Sequence, residues 1–133
     1  MLLGTYKPTL IGRNRLALPA KLRREIRDEK IVLAIGFENC IMGFEEKKWE
    51  EVTKADLSRP LSDSEGRDLR RKMCMNAQTI ALDSQGRFVV PEEMAEYGKI
   101  KEDVMIIGAG DHFEIWDENS WRDYEKTMAE KTK

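Results

Sequence analysis

The sequence has few of the residues on which metal-binding and catalytic sites depend. Its 133 residues include only two cysteines and one histidine. Cys40 and Cys74 form no Cys-x-x-Cys motif, and His112 alone cannot complete a zinc-ligand set. No nucleophile and base stand in a pattern typical of catalysis. We therefore expect no enzymatic activity, no metal and no cofactor, with both cysteines reduced in a cytoplasmic protein.

Long apolar runs are also absent. No stretch approaches the roughly 18 apolar residues that a membrane-spanning helix needs. The first residues, Met1-Leu2-Leu3-Gly4, lack the basic start and long apolar segment of a signal peptide. Both absences favour a cytoplasmic location without a membrane partner.

The chain has no overall positive charge, since its formal net charge is −2. The distribution is more informative, because residues 1–36 carry eight Lys or Arg against three acidic residues. Residues 88–133 carry six against twelve. A local basic patch can attract phosphate even on an acidic protein. The pattern predicts weak non-specific DNA binding, with affinity concentrated at a few arginine-bearing loops.

The sequence repeats itself at an offset of 72 residues. Seven identities share this spacing without a gap: Leu10 and Leu82, Arg15 and Arg87, Pro19 and Pro91, Val32 and Val104, Ile35 and Ile107, Gly36 and Gly108, and Trp49 and Trp121. Phe44 matches Trp116 at the same offset. Two copies are too few for a solenoid and predict one compact body with internal pseudo-twofold symmetry.

Each half is predicted to run strand, turn, strand, helix, strand, strand, helix. We divide the chain into a first repeat (1–58), a connecting helix (59–76) and a second repeat (77–133). Ser62 or Asp63 is expected to cap the connecting helix, which runs to about Cys74. The other predicted helices are Ala20–Asp28, Glu45–Asp56, Pro91–Tyr97 (ended by Gly98) and Asp117–Ala129, and residues 108–112 are predicted to turn the last hairpin.

The strongest local pattern is a tight turn that ends in arginine. It occurs as Asp83-Ser84-Gln85-Gly86-Arg87 and as Ile11-Gly12-Arg13-Asn14-Arg15, each followed by a short apolar strand and a proline. A guanidinium group is a planar fork of donors that suits phosphate or the O6/N7 edge of guanine. A single such turn is more simply a surface hairpin with a local ion pair. Its recurrence in both halves favours a binding function.

These features together resemble the MraZ family, bacterial DNA-binding regulators of the AbrB/MazE-like superfamily. The resemblance rests on the paired turns, the start Met1-Leu2-Leu3-Gly4, and Phe113-Glu114-Ile115-Trp116-Asp117 followed by Trp121. It implies a swapped-hairpin module, mainly β with flanking helices (α+β), as one domain of two halves. It also implies a homo-oligomeric ring, octameric or larger, that binds short G-rich direct repeats in double-stranded DNA. Those repeats lie upstream of the division and cell-wall gene cluster, and the expected role is a nucleoid-associated repressor.

The resemblance also assigns roles to individual residues. The Asp-x-x-x-Arg motif of the family is intact from Asp83 to Arg87, whereas Ile11 replaces the aspartate and Asn14 the usual glycine before Arg15. Arg15 and Arg87 are expected to read bases. The phosphate backbone is expected to be positioned by Arg13, Ser84 and Gln85, by the N–H groups of the turns that contain Gly12, Asn14 and Gly86, and by Lys21 and Arg23 after the first turn. Asp83 is expected to accept hydrogen bonds from the N–H groups of its turn, or to pair with Arg87 and hold its guanidinium in one orientation. Lys21 and Arg23 are equally well read as an exposed basic helix face.

Two alternative functions remain open from the sequence. One is an antitoxin-like or transition-state-type regulator of the same superfamily, although those relatives usually carry one copy per subunit. The other is a protein-interaction scaffold whose basic turns grip a partner encoded in the same gene cluster, for example a methyltransferase. Trp49 and Trp121 are expected to be buried anchors rather than base-stacking platforms.

Overall fold

A computed structural model describes residues 1–132, in which the elements follow the order that the repeat predicts. The strands are β1 (Leu2–Tyr6), β2 (Arg15–Ala17), β3 (Lys30–Ile35), β4 (Ile41–Glu45), β5 (Gln78–Ala81), β6 (Arg87–Val89), β7 (Val104–Gly110) and β8 (Phe113–Asp117). The helices are α1 (Ala20–Glu25), α2 (Glu46–Leu57), α3 (Ser64–Cys74), α4 (Glu92–Tyr97) and α5 (Glu118–Lys131). Asp63 caps α3 as predicted, because its carboxylate accepts from the Glu65 N–H at 3.2 Å.

The two halves exchange their outer strands. One antiparallel sheet has the order β1-β7-β8-β4-β3-β5, so β1 of the first half pairs with β7 of the second. Likewise β5 of the second half pairs with β3 of the first. At the centre, β4 and β8 are in register about Met42 and Glu114, which are 72 residues apart. The pseudo-twofold axis passes between these strands, and the swapped-hairpin fold is confirmed.

A separate two-stranded ribbon, formed by β2 and β6, lies on the same pseudo-twofold axis. Its register centres on the pair Leu16 and Phe88, again 72 residues apart. Both side chains point into the core and are 0% and 2% exposed. Burying one such side chain stabilises a fold by roughly 1.5–3 kcal/mol. This pair fixes the ribbon on the body and leaves its opposite face outside.

The sheet buries a different core on each face, because successive side chains of a strand point to opposite sides. Ile41 and Ile115 belong to the larger core, which also contains Leu16 and Phe88 of the ribbon. Met42 and Trp116 belong to the smaller core on the other face. The halves therefore share both cores, as expected for a chain whose single half would bury too little apolar surface.

The two tryptophans pack against aromatic side chains of the sheet, and Trp121 is buried as predicted, whereas Trp49 is half-buried. Trp49 meets the Phe44 ring edge-on with a centroid distance of 5.2 Å and an interplanar angle of 66°. Trp121 meets Trp116 at the same 5.2 Å and 66°. The repeat is thus preserved in side-chain packing as well as in sequence.

The prediction for the first short helix was too long. It ends at Glu25 rather than Asp28, because Ile26 has an extended backbone (φ −91°, ψ 101°) that inserts its side chain into the core. The Arg23 guanidinium donates hydrogen bonds to the main-chain carbonyls of Ile26 and Asp28, and so provides partners for two carbonyls of this non-helical stretch.

Two glycines also differ from their predicted roles. Gly98 has a right-handed backbone (φ −84°), and the left-handed residue at the end of α4 is Lys99 (φ 56°). Strand β7 continues through Gly108 to Gly110, so only Asp111 and His112 turn the hairpin. A Cβ at Gly108 would lie 2.7 Å from the Leu2 main chain, so close strand approach explains this glycine.

The side chains of Cys40 and His112 are held within the fold, whereas Cys74 is exposed. Cys40 is 2% exposed, and burial raises the pKa of its thiol. His112 stacks on Phe44 with a centroid distance of 5.0 Å and hydrogen-bonds to Asp111 and Glu114. Burial lowers the pKa of His112, but these two carboxylates more than offset it and raise the pKa overall. Among residues 1–132, no helix combines the length and apolar character needed to cross a membrane.

Candidate nucleic-acid interface

The second turn, residues 83–86, is held by the main chain and by a carboxylate. The Asp83 N–H donates to the Arg87 carbonyl at 2.9 Å, and the Gly86 N–H donates to the Asp83 carbonyl at 2.9 Å. Asp83 Oδ1 accepts from the N–H groups of Gln85 and Arg87, at 2.9 Å and 2.8 Å. Gly86 is left-handed (φ +75°), and a Cβ there would lie 3.1 Å from Arg23 Cδ. The Asp83 carboxylate and the left-handed Gly86 therefore both stabilise this turn.

The same carboxylate orients the arginine that follows. Arg87 Nε donates to Asp83 Oδ2 at 2.8 Å, and the two side chains are about one-third exposed. The pKa of Asp83 is lowered foremost by the Arg87 N–H, against the opposing effect of burial, and further by the Arg87 guanidinium. Within residues 1–132 the terminal nitrogens of Arg87 make no hydrogen bond, so they remain available to a ligand.

The first turn, residues 11–14, keeps the main-chain path without the carboxylate. The Ile11 N–H donates to the Arg15 carbonyl at 2.8 Å, the counterpart of the bond at Asp83. Gly12 and Asn14 are left-handed (φ 64° and 60°), so the predicted tolerance of asparagine for this conformation is used. Arg15 is exposed and has no side-chain hydrogen bond or ion pair to the rest of residues 1–132. No carboxylate among these residues holds its guanidinium in one orientation as Asp83 holds that of Arg87, and we call such an arginine unbraced.

The register of the ribbon brings the two arginines onto one surface. Arg15 pairs with Val89, and Ala17 pairs with Arg87. Because residues two apart on a strand share a face, these four side chains form one face, opposite the buried Leu16–Phe88 pair. We call Arg15, Ala17, Arg87 and Val89 the outer face of the ribbon. Arg15 and Arg87 are diagonal neighbours on it, a relation that places Cα atoms roughly 7–8 Å apart.

The two turns have neighbours of opposite charge. Arg23 of α1 packs against Gly86 of the second turn. Arg13 of the first turn forms an exposed ion pair with Glu92, the first residue of α4. The first turn of α4 is acidic, whereas that of α1 has no acidic residue. The second turn therefore has a basic neighbour from α1, and the first turn has an acidic neighbour from α4.

Comparison with known proteins places the whole chain in one family. Residues 1–72 and 73–133 each match the family described as MraZ protein, putative antitoxin-like. A relative from Micrococcus luteus, named transcriptional regulator MraZ, is 43% identical over 124 residues, which cover 93% of this chain and 86% of the relative. The protein of the same name from Roseiflexus sp. is 35% identical over 128 residues, covering 96% and 89%. The chain belongs to the MraZ family.

Membership of the MraZ family agrees with the prediction that the chain is not an enzyme, because the named relatives are regulators. The Spiroplasma kunkelii relative carries the same name at 35% identity over 123 residues, covering 92% of this chain and 86% of its own length. Within residues 1–132, no group of three or more His, Cys, Asp or Glu side chains is arranged to hold a metal ion.

The other predicted contact residues occupy different positions around the outer face. Ser84 and Gln85 are exposed at the tip of the second turn, and Lys21 is exposed on α1. Arg23 is half-buried and donates to the Ile26 and Asp28 carbonyls. Its side chain packs against Gly86 and so supports the second turn from the side of α1. Its predicted role as a phosphate contact stays a prediction.

One residue of the outer face is missing from the sequence-based site. Val89 is 48% exposed beside both arginines. The period-two alternation of Arg87-Phe88-Val89 places it on the same face as Arg87. Arg15 lies 74 positions away in the sequence, and only the register of the ribbon shows that it is the cross-strand neighbour of Val89.

Proposed function

We propose that this chain is a sequence-specific DNA-binding transcription regulator that places its β2–β6 ribbon in the major groove. The observation that carries this proposal is the outer face of the ribbon, where Arg15 and Arg87 project side by side. The major groove is about 12 Å wide and admits a two-stranded ribbon. The named relatives are transcriptional regulators, which supports the same function.

The two arginines are the base-reading residues in this proposal. With its Nε bound to Asp83, Arg87 offers its two terminal nitrogens end-on to the O6 and N7 atoms of a guanine. Arg15 offers the same fork without a brace. Each good bidentate contact is worth about 1–3 kcal/mol of discrimination. A separation of roughly 7–8 Å corresponds to guanines about two base-pair steps apart.

The residues around the arginines position the phosphate backbone. Ser84 and Gln85 at the exposed tip of the second turn, Arg13 at the first turn and Lys21 on α1 are suited to phosphate contacts. Such contacts carry no sequence information but fix the register of the ribbon on the duplex. Their small number agrees with the net charge of −2 and with weak binding by a single subunit.

Assembly into a ring increases the affinity for DNA, which is weak for a single subunit. We propose a homo-oligomer of eight or more subunits, in which several ribbons engage successive G-rich direct repeats at once. Repeats about 10 bp apart place every site on one face of the duplex. The proposed operator lies upstream of the division and cell-wall gene cluster, where a cytoplasmic, nucleoid-associated protein acts as a repressor. The support is the resemblance of the paired arginine turns.

Fluorescence anisotropy at several salt concentrations tests the function. The labelled probe is the region upstream of the chain's own gene, and the control is a scrambled duplex of equal composition. A regulator prefers the upstream duplex and loses affinity steeply between about 50 and 200 mM salt. A protein-interaction scaffold has little affinity for either duplex at any salt. Native mass measurement gives the subunit number independently.

A further inference from the structure

An apolar side chain lies exposed in the middle of the arginine-bearing surface. Val89 is 48% exposed and stands directly opposite Arg15 on the outer face of the ribbon. It follows Arg87 by two residues on β6. Directly opposed Cβ atoms are about 5 Å apart, and those two residues apart on a strand are about 7 Å apart. A ligand bound by both guanidinium groups therefore lies over the valine.

Packing within the chain does not require a valine at this position. The core contacts of β6 and its continuation come from Phe88 and Val90, which are 2% and 0% exposed. The symmetry-equivalent position in β2 holds Ala17, so the ribbon forms with a smaller side chain there. The exposed isopropyl group is thus free to serve a ligand.

We propose that Val89 is a specificity-determining residue that reads the 5-methyl group of a thymine within about two base pairs of the guanine bound by Arg15. This inference rests on the proposed function. The thymine methyl is the one apolar group that base pairs present in the major groove, and apolar side chains recognise it by contact. The flanking guanidinium groups favour the phosphate-lined groove over an apolar partner surface, because two charges would otherwise lose water without compensation.

The two strands of the ribbon therefore differ in the contact that they offer to a thymine methyl group. Ala17 stands opposite Arg87, is half-buried and has no side-chain atom beyond Cβ, so it offers a methyl group little contact. Val89 extends two methyl groups from its Cβ. Thymine recognition is consequently expected on the Arg15 side of each site and not on the Arg87 side.

Uracil substitution tests this inference, because uracil pairs like thymine but lacks the 5-methyl group. Anisotropy titrations compare wild type and Val89→Ala on the upstream duplex, with thymine or with uracil at every thymine position. Wild type should lose about fourfold in affinity per contacted thymine, the equivalent of ~0.8 kcal/mol for one buried CH₂ group. Val89→Ala should bind the thymine duplex as weakly as wild type binds the uracil duplex, with no further loss on uracil.

A matched control and a fold check complete the experiment. Leu61→Ala removes an apolar side chain that is 69% exposed and outside the ribbon, and it should keep the full sensitivity to uracil. Thermal unfolding should show that Val89→Ala is folded, as expected for a surface position.

Three results would overturn the inference. Equal wild-type affinity for the two duplexes shows that no methyl group is read, and an apolar protein partner then becomes the better occupant. An equal loss in wild type and Val89→Ala shows that uracil acts through DNA shape. In both cases a preference for the upstream duplex leaves the proposed function intact. A wild type without any preference for that duplex removes the function and the inference together.

Discussion

The two turns have the same main-chain path and differ in how they hold the arginine that follows. The hydrogen bond that closes each turn is conserved, at 2.8 Å from Ile11 to Arg15 and at 2.9 Å from Asp83 to Arg87. Only the second turn adds a carboxylate, which binds two main-chain N–H groups and the Arg87 Nε. The turn itself thus depends on the backbone ladder, and the orientation of the arginine depends on the aspartate.

The aspartate therefore affects how well the arginine is preorganised for binding and not whether the turn forms. An unbraced arginine carries about 2 kcal/mol of rotamer entropy, part of which is lost when it binds. Arg87 has already lost much of that freedom in the free protein, whereas Arg15 has not. The first turn also lies beside the acidic start of α4, where Arg13 pairs with Glu92. We therefore expect Arg87 to contribute more to specific affinity than Arg15.

Removing both arginines should have the largest effect. Arg87→Ala alone should weaken binding to the upstream duplex at least about tenfold, and Arg15→Ala should weaken it less. The double variant should lose about 100-fold or more and retain only salt-sensitive, non-specific binding. Anisotropy at fixed salt measures all three. Arg122→Ala, which removes an exposed arginine of α5, is the control and should bind like wild type.

An unchanged affinity of the double variant would exclude the outer face of the ribbon from recognition. Equal losses from the two single variants would leave the interface in place and show that the Asp83 brace contributes nothing to affinity.

Removing the brace should have an intermediate effect. Asp83→Asn keeps an acceptor for the turn N–H groups but loses the charge that holds the Arg87 guanidinium. Specific affinity should fall several-fold, toward what an unbraced arginine provides, with about 1 kcal/mol lost. Asp123→Asn, an exposed position on α5, controls for net charge. If Arg87→Ala in the Asp83→Asn background costs as much as it does in wild type, the two residues do not act as a unit.

Much of this comparison was predictable from the sequence. The repeat gave the order of the elements, the turn residues and the presence of Asp83 in only one half. The pairing of β2 with β6 was not predictable, because alternation within a strand gives its buried face but not its partner. The inward role of Arg23 and the Arg13–Glu92 pair arise from contacts between elements far apart in sequence. The boundaries of the halves at residues 58 and 77 stay predictions.

Restoring the missing brace should produce a smaller change of opposite sign. Ile11→Asp supplies a carboxylate at the position that corresponds to Asp83, beside an Arg15 that is otherwise unpaired in residues 1–132. Affinity for the upstream duplex should rise about two- to fivefold, because an exposed ion pair is worth up to about 1 kcal/mol. Ile11→Asn is the matched control, since it can accept hydrogen bonds in the turn but cannot pair with the guanidinium by charge. Equal affinities of the two variants would refute the brace.

The smallest expected effect is on stability in acid. The pKa of Asp83 is held below its ordinary 3.8, foremost by the Arg87 N–H against burial, so its charged form stabilises the folded state. This contribution is complete above the unfolded pKa and is lost as the pH falls through the lower folded pKa. The free energy of unfolding of wild type relative to Asp83→Asn should therefore be constant near neutral pH and shrink below about pH 4. Urea unfolding measures it, and a difference that does not change with pH would contradict the assignment.

Methylation interference tests the central claim most directly, because dimethyl sulfate modifies guanine N7 in the major groove and adenine N3 in the minor groove. With a ribbon in the major groove, methylation of guanines in the upstream repeats should prevent wild-type binding, and methylation of adenines should not. The Arg15→Ala and Arg87→Ala variants should each lose interference at a different guanine. Interference only at adenine N3, or at no base, would contradict recognition by the two arginines.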